Sequence, residues 1–156
     1  MAAPVKTLGN KSVFLLNGTD ISDFLDQMDF DRMYSVLKAT TMIGTSDNNA
    51  AYPDAEQYQS GLEDATFSLA GFYDGTANTG IMALLNTAIT NQRATPPTLN
   101  TWAFSPVGTG AGAMYFLQNT AGGCIIKNVK IGSKDDGFIT ISADLQISLG
   151  VAVTTH

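Results

Sequence analysis

In the segment from Phe138 to Leu149, apolar and polar side chains alternate strictly from Ile139 onward. The apolar positions are Ile139, Ile141, Ala143, Leu145, Ile147 and Leu149, and the polar ones are Thr140, Ser142, Asp144, Gln146 and Ser148. A period of two places all the apolar side chains on one face of an extended chain, which predicts an antiparallel strand with one buried face. At roughly 3.3 Å per residue the strand would extend about 40 Å, twice the usual length. We therefore expect it to bend, to cross between sheets or to project beyond the core.

Shorter strand patterns occupy much of the remaining chain. Strands are predicted over residues 12–16, 29–41, 61–74, 98–104, 113–117 and 124–131. The dipeptide Asn17-Gly18 closes the first of them as a hairpin turn. Residues 19–25 predict a bend or one helical turn, capped by Asp20 or Ser22, with Phe24 and Leu25 facing inward.

Residues 79–91 change to helical spacing. Apolar side chains recur three and four residues apart at Ile81, Leu84, Leu85, Ala88 and Ile89. Thr79 is the predicted N-cap, and the single apolar stripe predicts a helix that packs on a sheet. The chain is thus predicted to be mainly β with one helix.

Residues 44–59, GTSDNNAAYPDAEQYQ, predict a long loop. This segment has no lysine or arginine, no aliphatic side chain larger than alanine, and turn-forming residues throughout. Loops of this length in compact domains are usually either functional or disordered.

Charge is sparse and uneven in this chain of 156 residues, a length that predicts one domain. Charged residues make up 14%, against about 25% in an average soluble domain, and the net charge is −6. Residues 1–78 hold 11 acidic and 4 basic side chains, whereas residues 79–156 hold 3 and 4. This asymmetry either promotes head-to-tail association or reflects chance clustering with a solvated acidic face. The acidic balance argues against nucleic-acid binding by phosphate neutralisation.

The residues needed for common catalytic and metal sites are scarce. The one histidine, His156, ends the chain, so a nucleophile paired with a histidine base is not expected. Structural zinc needs about four Cys or His ligands, and the chain offers only His156 and Cys124. Cys124 precedes two isoleucines in a strand pattern, which predicts a buried, unreactive thiol. We therefore expect no metal or other cofactor.

Acidic residues also lack the spacing of a site. The neighbours in Glu63-Asp64 and Asp135-Asp136 would point to opposite faces of a strand, and the second pair is better interpreted as a hairpin turn with Gly137. A run of five aspartates between residues 20 and 31 lacks the ligand spacing of a calcium loop and predicts a solvated face. The glycine-rich segment 108–112 is not followed by the residues of a phosphate loop.

No membrane association is expected from the sequence. The longest stretch without a charged residue, residues 94–126, contains three prolines and five glycines. The apolar segment near the N-terminus has only four residues, Val13–Leu16, which is too short for a signal peptide core. The lone cysteine is typical of a protein made in a reducing cytosol.

Three segments resemble the tail tube (major tail) proteins of long-tailed bacteriophages. They are NGTDISDFLDQMDFDRM (Asn17 to Met33), YQSGLEDATFSLAGFYDG (Tyr58 to Gly75) and DDGFITISADLQISLG (Asp135 to Gly150). They occur in the order of that family: a G-x-D-I-S opening, a strand before the single helix, and a final strand ending in S-A-D-(L/F)-Q. The resemblance covers under half of the chain.

The resemblance implies an antiparallel β-sandwich or barrel with one flanking helix and a long extended loop. It also implies a structural subunit of the virion, assembled in the host cytoplasm into stacked hexameric rings. The inner sheets would form an acidic wall through which DNA passes without specific binding during genome ejection. Partners would be further copies of the chain and other tail proteins, namely tape measure, terminator and baseplate or tip proteins.

Within this interpretation the predicted interface lies in the long loop, which would reach an adjacent ring. Its residues Asp47, Tyr52, Asp54, Glu56 and Tyr58 would contact the neighbour. Their possible partners are Lys127, Lys130 and Lys134 of the neighbouring subunit, in the near-neutral half of the chain.

Several alternatives remain open from the sequence. The same resemblance fits the tube of a contractile injection system, a capsid-decoration protein or a tail terminator. From another class, a small glycosidase that uses two carboxylates would be an enzyme, but no pair of carboxylates has a defined cleft. We therefore expect a structural protein and not an enzyme.

Overall fold

The computed structural model describes residues 11–39, 57–133, 135 and 137–156. The predicted long loop lies outside these residues, except for residues 57–59, which belong to a strand. The chain separates into two compact units: one holds the described residues up to Asp31 together with Ala65–His156, and the other is Arg32–Asp64. The single domain inferred from the length stays a prediction.

The described residues form nine strands, one α-helix and a short 3-10 helix (Ser22–Phe24). The strands are β1 (Val13–Leu16), β2 (Thr19–Asp20), β3 (Leu25–Ala39), β4 (Gln57–Phe72), β5 (Trp102–Ser105), β6 (Met114–Gln118), β7 (Gly123–Gly132), β8 (Thr140–Ser148) and β9 (Val151–Thr155), and the helix is α1 (Ile81–Arg93). This mainly β architecture with one helix confirms the predicted fold class.

The strands form two sheets. The five-stranded sheet has the order β2-β1-β5-β6-β9, and each strand in it is antiparallel to its neighbours. Asn17 and Gly18 both have positive φ angles, 50° and 79°, and join β1 to β2 as the predicted hairpin turn. The four-stranded sheet has the order β3-β4-β8-β7, with antiparallel pairing of β8 to β4 and to β7.

The two sheets of the first unit pack through a shared aromatic core. Phe67 of β4 stacks on Phe30 of β3 at a ring-centroid distance of 4.5 Å. From the other sheet, Phe14 and Trp102 meet the same Phe67 ring at 5.0 Å and 5.2 Å. The alternating residues of β8 complete this core: Ile141, Ala143, Leu145 and Ile147 are all buried, as the period of two predicted.

Helix α1 packs on the core side of the four-stranded sheet. Ile81, Leu85 and Ala88 are buried, and Ile81 and Leu85 line the same small gap as Leu69 and Ile141. The N-cap is Gly80 and not the predicted Thr79. A Cβ atom at Gly80 would meet the backbone of Asp74 and Thr76, so the tight turn before the helix leaves room only for glycine there.

The long alternating pattern ends one residue earlier than predicted and starts two residues later. Strand β8 stops at Ser148 because Leu149 and Gly150 adopt left-handed conformations, with φ angles of 61° and 82°. After this corner the chain continues as β9 in the other sheet. Of the three outcomes expected for an overlong strand, crossing between sheets is the one observed, although as two strands.

The two longest strands are β3 and β4, with 15 and 16 residues. Strand β3 begins at Leu25, four residues before the predicted start, and two of the added residues, Leu25 and Met28, pack on the core. Strand β4 begins at Gln57, inside the segment predicted to be a loop. The bend between β2 and β3 is the 3-10 helix, and Asp20 accepts a hydrogen bond from the Ser22 amide at 2.9 Å.

The second unit contains the end of β3 and the beginning of β4. Arg32 donates a hydrogen bond through Nε to Oε1 of Glu63 at 2.6 Å, and its guanidinium group lies 5.6 Å from the centre of the Tyr34 ring. The ion pair ties the two strands of this unit together. The same hydrogen bond raises the already high pKa of Arg32, so this residue stays charged.

Candidate assembly surfaces

One face of the four-stranded sheet is polar and carries small side chains. Residues paired across β4, β8 and β7 form rows on this face: Thr66, Gln146 and Ile125; Ser68, Asp144 and Asn128; Ala70, Ser142 and Lys130. The residues between them face the core. The rows are half-buried or exposed, and six of their nine side chains are uncharged hydrogen-bonding or small groups.

Asp144 is fixed at the centre of this polar face. Its Oδ1 accepts a hydrogen bond from the Ser68 hydroxyl at 3.0 Å, and its Oδ2 accepts one from the Asn128 amide at 3.5 Å. Neighbouring strands therefore hold the carboxylate on this face from both sides.

Further negative charge on this face comes from β3. Because Met28 and Phe30 pack on the core, Asp29 and Asp31 point to the opposite side and are exposed. Gln27 donates a hydrogen bond to Asp29 at 2.7 Å. Together with Asp144, these residues outnumber the one basic side chain in the rows, Lys130, and leave the face with net negative charge.

The edge strand β7 is covered over only part of its length. Gln92 of α1 donates a hydrogen bond to the Ile126 carbonyl oxygen and accepts one from the Ile126 amide, both at 2.9 Å. Two residues before Ile126, the Cys124 amide donates a hydrogen bond to the Asn100 carbonyl oxygen at 2.8 Å. Asn100 is itself buried, and its side chain donates to the Ala88 carbonyl oxygen at 3.0 Å.

Beyond Ile126, the regular pairing of β7 with β8 is interrupted. The pairing with β8 shifts register between Ile126 and Asn128, so Lys127 is the extra residue of a β-bulge. Lys127 and Lys130 are both exposed. Strand β7 is one edge of the four-stranded sheet and β3 is the other, and we call residues 127–132 the open part of β7.

The predicted interface residues are only partly described. Lys127 and Lys130 lie on this open part of β7. Tyr58 lies in β4, near its beginning. Asp47, Tyr52, Asp54, Glu56 and Lys134 lie outside the described residues. Their pairing stays a prediction.

Sequence reasoning missed the residues that cover the edge. Gln92 sits on the helix and contacts a residue 34 positions away, and Asn100 bridges to Cys124. No local pattern identifies such contacts, because an amide side chain on a helix is ordinarily a solvent-facing residue.

Cys124 has the environment that the sequence predicted. The thiol is fully buried, and burial raises its pKa to about 12. The thiolate is the reactive form, so this cysteine is chemically inert at neutral pH. His156 makes a 2.9 Å hydrogen bond between its Nε2 and the Ser105 hydroxyl and stacks on Tyr115 at 4.0 Å.

Among the described residues, no group of three or more His, Cys, Asp and Glu side chains is arranged to bind a metal ion. None of the helices described is long and apolar enough to cross a membrane. A groove of about 590 Å³ follows the 3-10 helix and includes Asp23, Asp26 and the Ser22 hydroxyl. That hydroxyl donates to Asp20 at 2.6 Å and accepts from the Phe14 amide at 2.7 Å, contacts that tie the 3-10 helix to β2 and β1.

No known family's sequence profile matches the chain, and no curated protein sequence matches it. Solved structures do match, over nearly the whole chain. A protein in the cryo-EM structure of the PVC sheath-tube complex, an extracellular contractile injection system in its extended state, has a TM-score of 0.65 and 11% identity. The alignment covers 97% of this chain and 93% of that one.

Two other structures are similar to the same extent. The anti-feeding prophage cap, described as a tube-terminating cap, gives a TM-score of 0.66 at 9% identity and covers 100% of this chain and 95% of its own. The tail of an empty gene transfer agent particle, refined with C6 symmetry, gives 0.59 at 10% identity, with coverages of 97% and 100%. At such low identity these matches show a shared fold, and the chain therefore has the tail tube fold that its sequence motifs resemble.

Proposed function

We propose that this protein is the structural subunit of a tail tube, which polymerises as stacked hexameric rings around a conduit for DNA. The observation that carries the proposal is the tail tube fold, which extends over nearly the whole chain. The sixfold symmetry of the gene transfer agent tail supports hexameric rings. The similar structures belong to tube and tail assemblies, which supports a structural role.

The two edges of the four-stranded sheet supply a mechanism for closing a ring. An open strand edge presents unpaired amide and carbonyl groups, which another chain can satisfy by adding a strand. We expect the open part of β7, from Lys127 to Gly132, to pair with β3 of the next subunit. Because the two surfaces differ, the contact is heterologous and can repeat around a closed ring.

The polar face of the same sheet is the proposed wall of the conduit. A ring closed through the sheet edges would join these faces into one continuous surface. Asp29, Asp31 and Asp144 give that surface a net negative charge, because Lys130 is the one basic side chain in its rows and the other side chains there are uncharged. Such a wall repels phosphates, so DNA would slide along it without binding.

The loop over residues 44–59 is the proposed joint between rings. Its aromatic residues Tyr52 and Tyr58 would anchor it on the adjacent ring, since aromatic side chains are enriched in interface hot spots. Its acidic residues would meet basic residues of that ring: Asp47, Asp54 and Glu56 would lie opposite Lys127, Lys130 and Lys134.

The proposal includes a location and further partners. The protein would be a virion component, assembled in the host cytoplasm. Other tail proteins would bind the two ends of the tube, and the tape measure would lie inside it. DNA would be enclosed without specific contacts.

Two of the similar solved structures support related roles as alternative functions. The PVC structure supports a tube of a contractile injection system, and the anti-feeding prophage cap supports a protein that terminates a tube. A tube subunit forms long polymers on its own, whereas a terminator stops at single rings.

Electron microscopy of the purified full-length protein tests the proposal. We expect tubes with sixfold symmetry, and two-dimensional class averages down the tube axis should show six subunits per ring. Isolated rings at every concentration would support the terminator instead. A protein that stays monomeric at high concentration would overturn both.

A further inference from the structure

The five-stranded sheet extends past the four-stranded sheet at its β9 edge. In the core, Phe67 of β4 lies against Phe14 of β1 and Phe104 of β5, at ring-centroid distances of 5.0 and 5.3 Å. Phe30 of β3 lies one strand further across, against Phe104 at 6.1 Å and Phe116 of β6 at 5.2 Å. Strand β3 ends its sheet, whereas β9 still follows β6 in the other sheet. Within the first unit, no strand of the four-stranded sheet therefore lies opposite β9.

Core-facing side chains are exposed at this edge. Val153 of β9 pairs with Phe116, and Phe116 pairs with the buried Phe104, so all three point to the core side of the sheet. Met114 lies two residues before Phe116 and points the same way. Yet Val153 and Met114 are 44% and 53% exposed. We call these two side chains the uncovered pair.

The β7 edge of the four-stranded sheet carries a core-facing side chain that is similarly exposed. Ile131 pairs with Ile141, which is buried in the core, so Ile131 points to the core side as well. Ile131 is 48% exposed and belongs to the open part of β7. Its neighbour Lys130 lies in a row of the polar face and is exposed. This short segment therefore presents an apolar side chain on one side and a basic side chain on the other.

Strand β3 matches this arrangement. Phe30 points to the core, and Asp29 and Asp31 on either side of it point to the polar face and are exposed. A strand of a second copy, added beside β3, can place its Ile131 next to Phe30. Lys130 of that strand then lies next to one of the two aspartates, whichever way the two strands run. The same strand would lie opposite β9 and place its apolar side chain over the uncovered pair.

We propose that the open part of β7 in one copy completes the core of the next copy in the ring. Ile131 of the first copy packs on the uncovered pair of the second, and Lys130 of the first pairs with Asp29 or Asp31 of the second. The inference rests on the proposed function and deepens it, because it gives the seam between ring neighbours a buried side and a charged side. It assigns Lys130 to this seam, and the other two lysines remain for the joint between rings.

The two sides of the seam contribute differently to association. Removal of three exposed aliphatic side chains from water favours binding without fixing its direction. The opposite charges on the polar face orient the incoming strand. Because the two surfaces of the seam differ, each copy binds one neighbour on each side, as closure of a ring requires.

The substitution Val153→Asp tests the buried side of the seam. A carboxylate at this position would be desolvated by the incoming strand without gaining a partner, which opposes association. We expect the protein concentration needed for half-maximal ring formation to rise at least about tenfold, as for loss of a hot-spot residue. Analytical ultracentrifugation measures ring formation, and circular dichroism with thermal melting checks the fold.

The matched control for this substitution is Thr154→Asp. Thr154 is the next residue of β9, is exposed, has the same branched shape as Val153 and points to the other face of the sheet. Both variants place an aspartate in the same strand, so any cost to the strand itself is shared. Thr154→Asp should form rings at the wild-type concentration.

Charge reversal tests the other side of the seam and leaves the core untouched. Lys130→Asp should weaken ring formation by at least about fivefold at low salt, because it places like charges side by side. Asp29→Lys together with Asp31→Lys should weaken it as well. All three changes in one chain should restore ring formation, since the opposite charges are then exchanged.

Wild-type stability of the rings from both Val153→Asp and Lys130→Asp would overturn the inference and leave the proposed function standing. Equal weakening by Val153→Asp and Thr154→Asp would overturn the buried contact. If Val153→Asp does not fold, the charge reversals decide: restoration in the triple variant supports the seam, and its failure overturns it. If the wild-type protein forms neither rings nor tubes, the proposed function itself fails.

Photo-crosslinking in assembled rings locates the contact directly. A diazirine amino acid in place of Met114 should attach to residues 127–132 of another copy. Rings assembled from a mixture of isotope-labelled and unlabelled protein distinguish this attachment from one within a chain, and mass spectrometry locates it. Attachment only to other parts of the chain, in rings of normal appearance, would overturn the assignment.

Discussion

The side-chain amide of Gln92 binds the backbone of Ile126 at two points, as an adjacent strand would. Its Nε2 donates to the Ile126 carbonyl oxygen and its Oε1 accepts from the Ile126 amide, each at 2.9 Å. The helix therefore satisfies two groups of an edge strand that would otherwise lack a partner in the subunit. Nearby, Asn100 pairs with Cys124 and extends the cover to the start of β7.

Replacing Gln92 with leucine should destabilise the subunit. The Ile126 amide and carbonyl groups would lose both partners in a partly buried environment, which costs about 1–3 kcal/mol per unsatisfied group when water cannot reach it. We expect a loss in the free energy of unfolding of about 1–3 kcal/mol, measured by urea denaturation. Thr87→Val, an exposed change on the same helix, serves as the control and should stay within about 0.5 kcal/mol of wild type.

Replacing Gly71 with alanine should also destabilise the subunit. A Cβ atom at this position would overlap the Phe24 carbonyl oxygen and lie 2.7 Å from the Leu25 Cα atom, so backbone would have to move. Overpacking of this kind costs about 1–3 kcal/mol, visible as a lower melting temperature. At Gly110 an added Cβ meets nothing within 4 Å, so Gly110→Ala should melt like the wild type. Equal melting of both variants would show that the approach of β4 to the 3-10 helix is not tight.

Cys124→Ser should lower stability modestly and leave assembly intact. The position is fully buried beside apolar residues, and a buried hydroxyl without a partner costs about 1–3 kcal/mol. Chemical denaturation measures the loss, and electron microscopy measures tube formation. Loss of tubes with unchanged melting would reveal a chemical role for the thiol.

The same thiol predicts a pH dependence. Burial raises the pKa of folded Cys124 to about 12, whereas a thiol in the unfolded chain ionises near about 8.5. The folded state keeps its proton over this interval, so the thiol's contribution to stability is fully present below about pH 8.5 and declines as the pH rises toward 12. The stability difference between wild type and Cys124→Ser should therefore shrink with increasing pH. A difference that stays constant up to pH 11 would contradict the assigned burial.

The loop over residues 44–59 should be dispensable for folding and required for stacking. Because Gln57 begins β4, the replacement by a short Gly-Ser linker should cover residues 45–56 only. We expect a β-rich circular dichroism spectrum and particles no larger than single rings by light scattering. Tubes of normal length from this variant would exclude the loop as the joint between rings.

The free subunit should not bind double-stranded DNA at physiological salt. Its net charge is −6, and the exposed Lys127 and Lys130 are too few to neutralise a run of phosphates. Gel retardation with the wild-type protein should show no shift between low micromolar and high micromolar concentrations. A shift that weakens with added salt would count against a repulsive conduit wall.

The strands that the sequence predicted well are those with a local signal. The alternation of Ala65, Phe67 and Leu69 predicted β4, and that of Ile141 to Ile147 predicted β8, since both report a strand with one buried face. The helix was predicted in the same way, from the apolar stripe along one of its faces. In each case the periodicity directly reflects which side chains enter the core.

The predicted ends of strands and of the helix were wrong where a backbone conformation or a contact with a distant residue determines them. Leu149 is apolar and in phase with β8, yet its left-handed conformation ends the strand. Gly80 is the N-cap of the helix because a side chain at this position would collide with the backbone of Asp74. The spacing of apolar residues in the sequence does not reveal such a steric limit. The cover of β7 by Gln92 depends on residues 34 positions apart, so only the folded chain shows it.

The partial cover of β7 also limits where another strand can lie. Gln92 already occupies the backbone of Ile126, so a strand that pairs along this edge cannot slide past Lys127 toward the start of β7. A ladder lined with small polar side chains specifies its register weakly, and a slip by two residues would change few contacts. In the proposed ring, the helix amide would limit how far an incoming strand of the next subunit extends toward the start of β7, and so would restrict the offset between subunits before any side chain is compared.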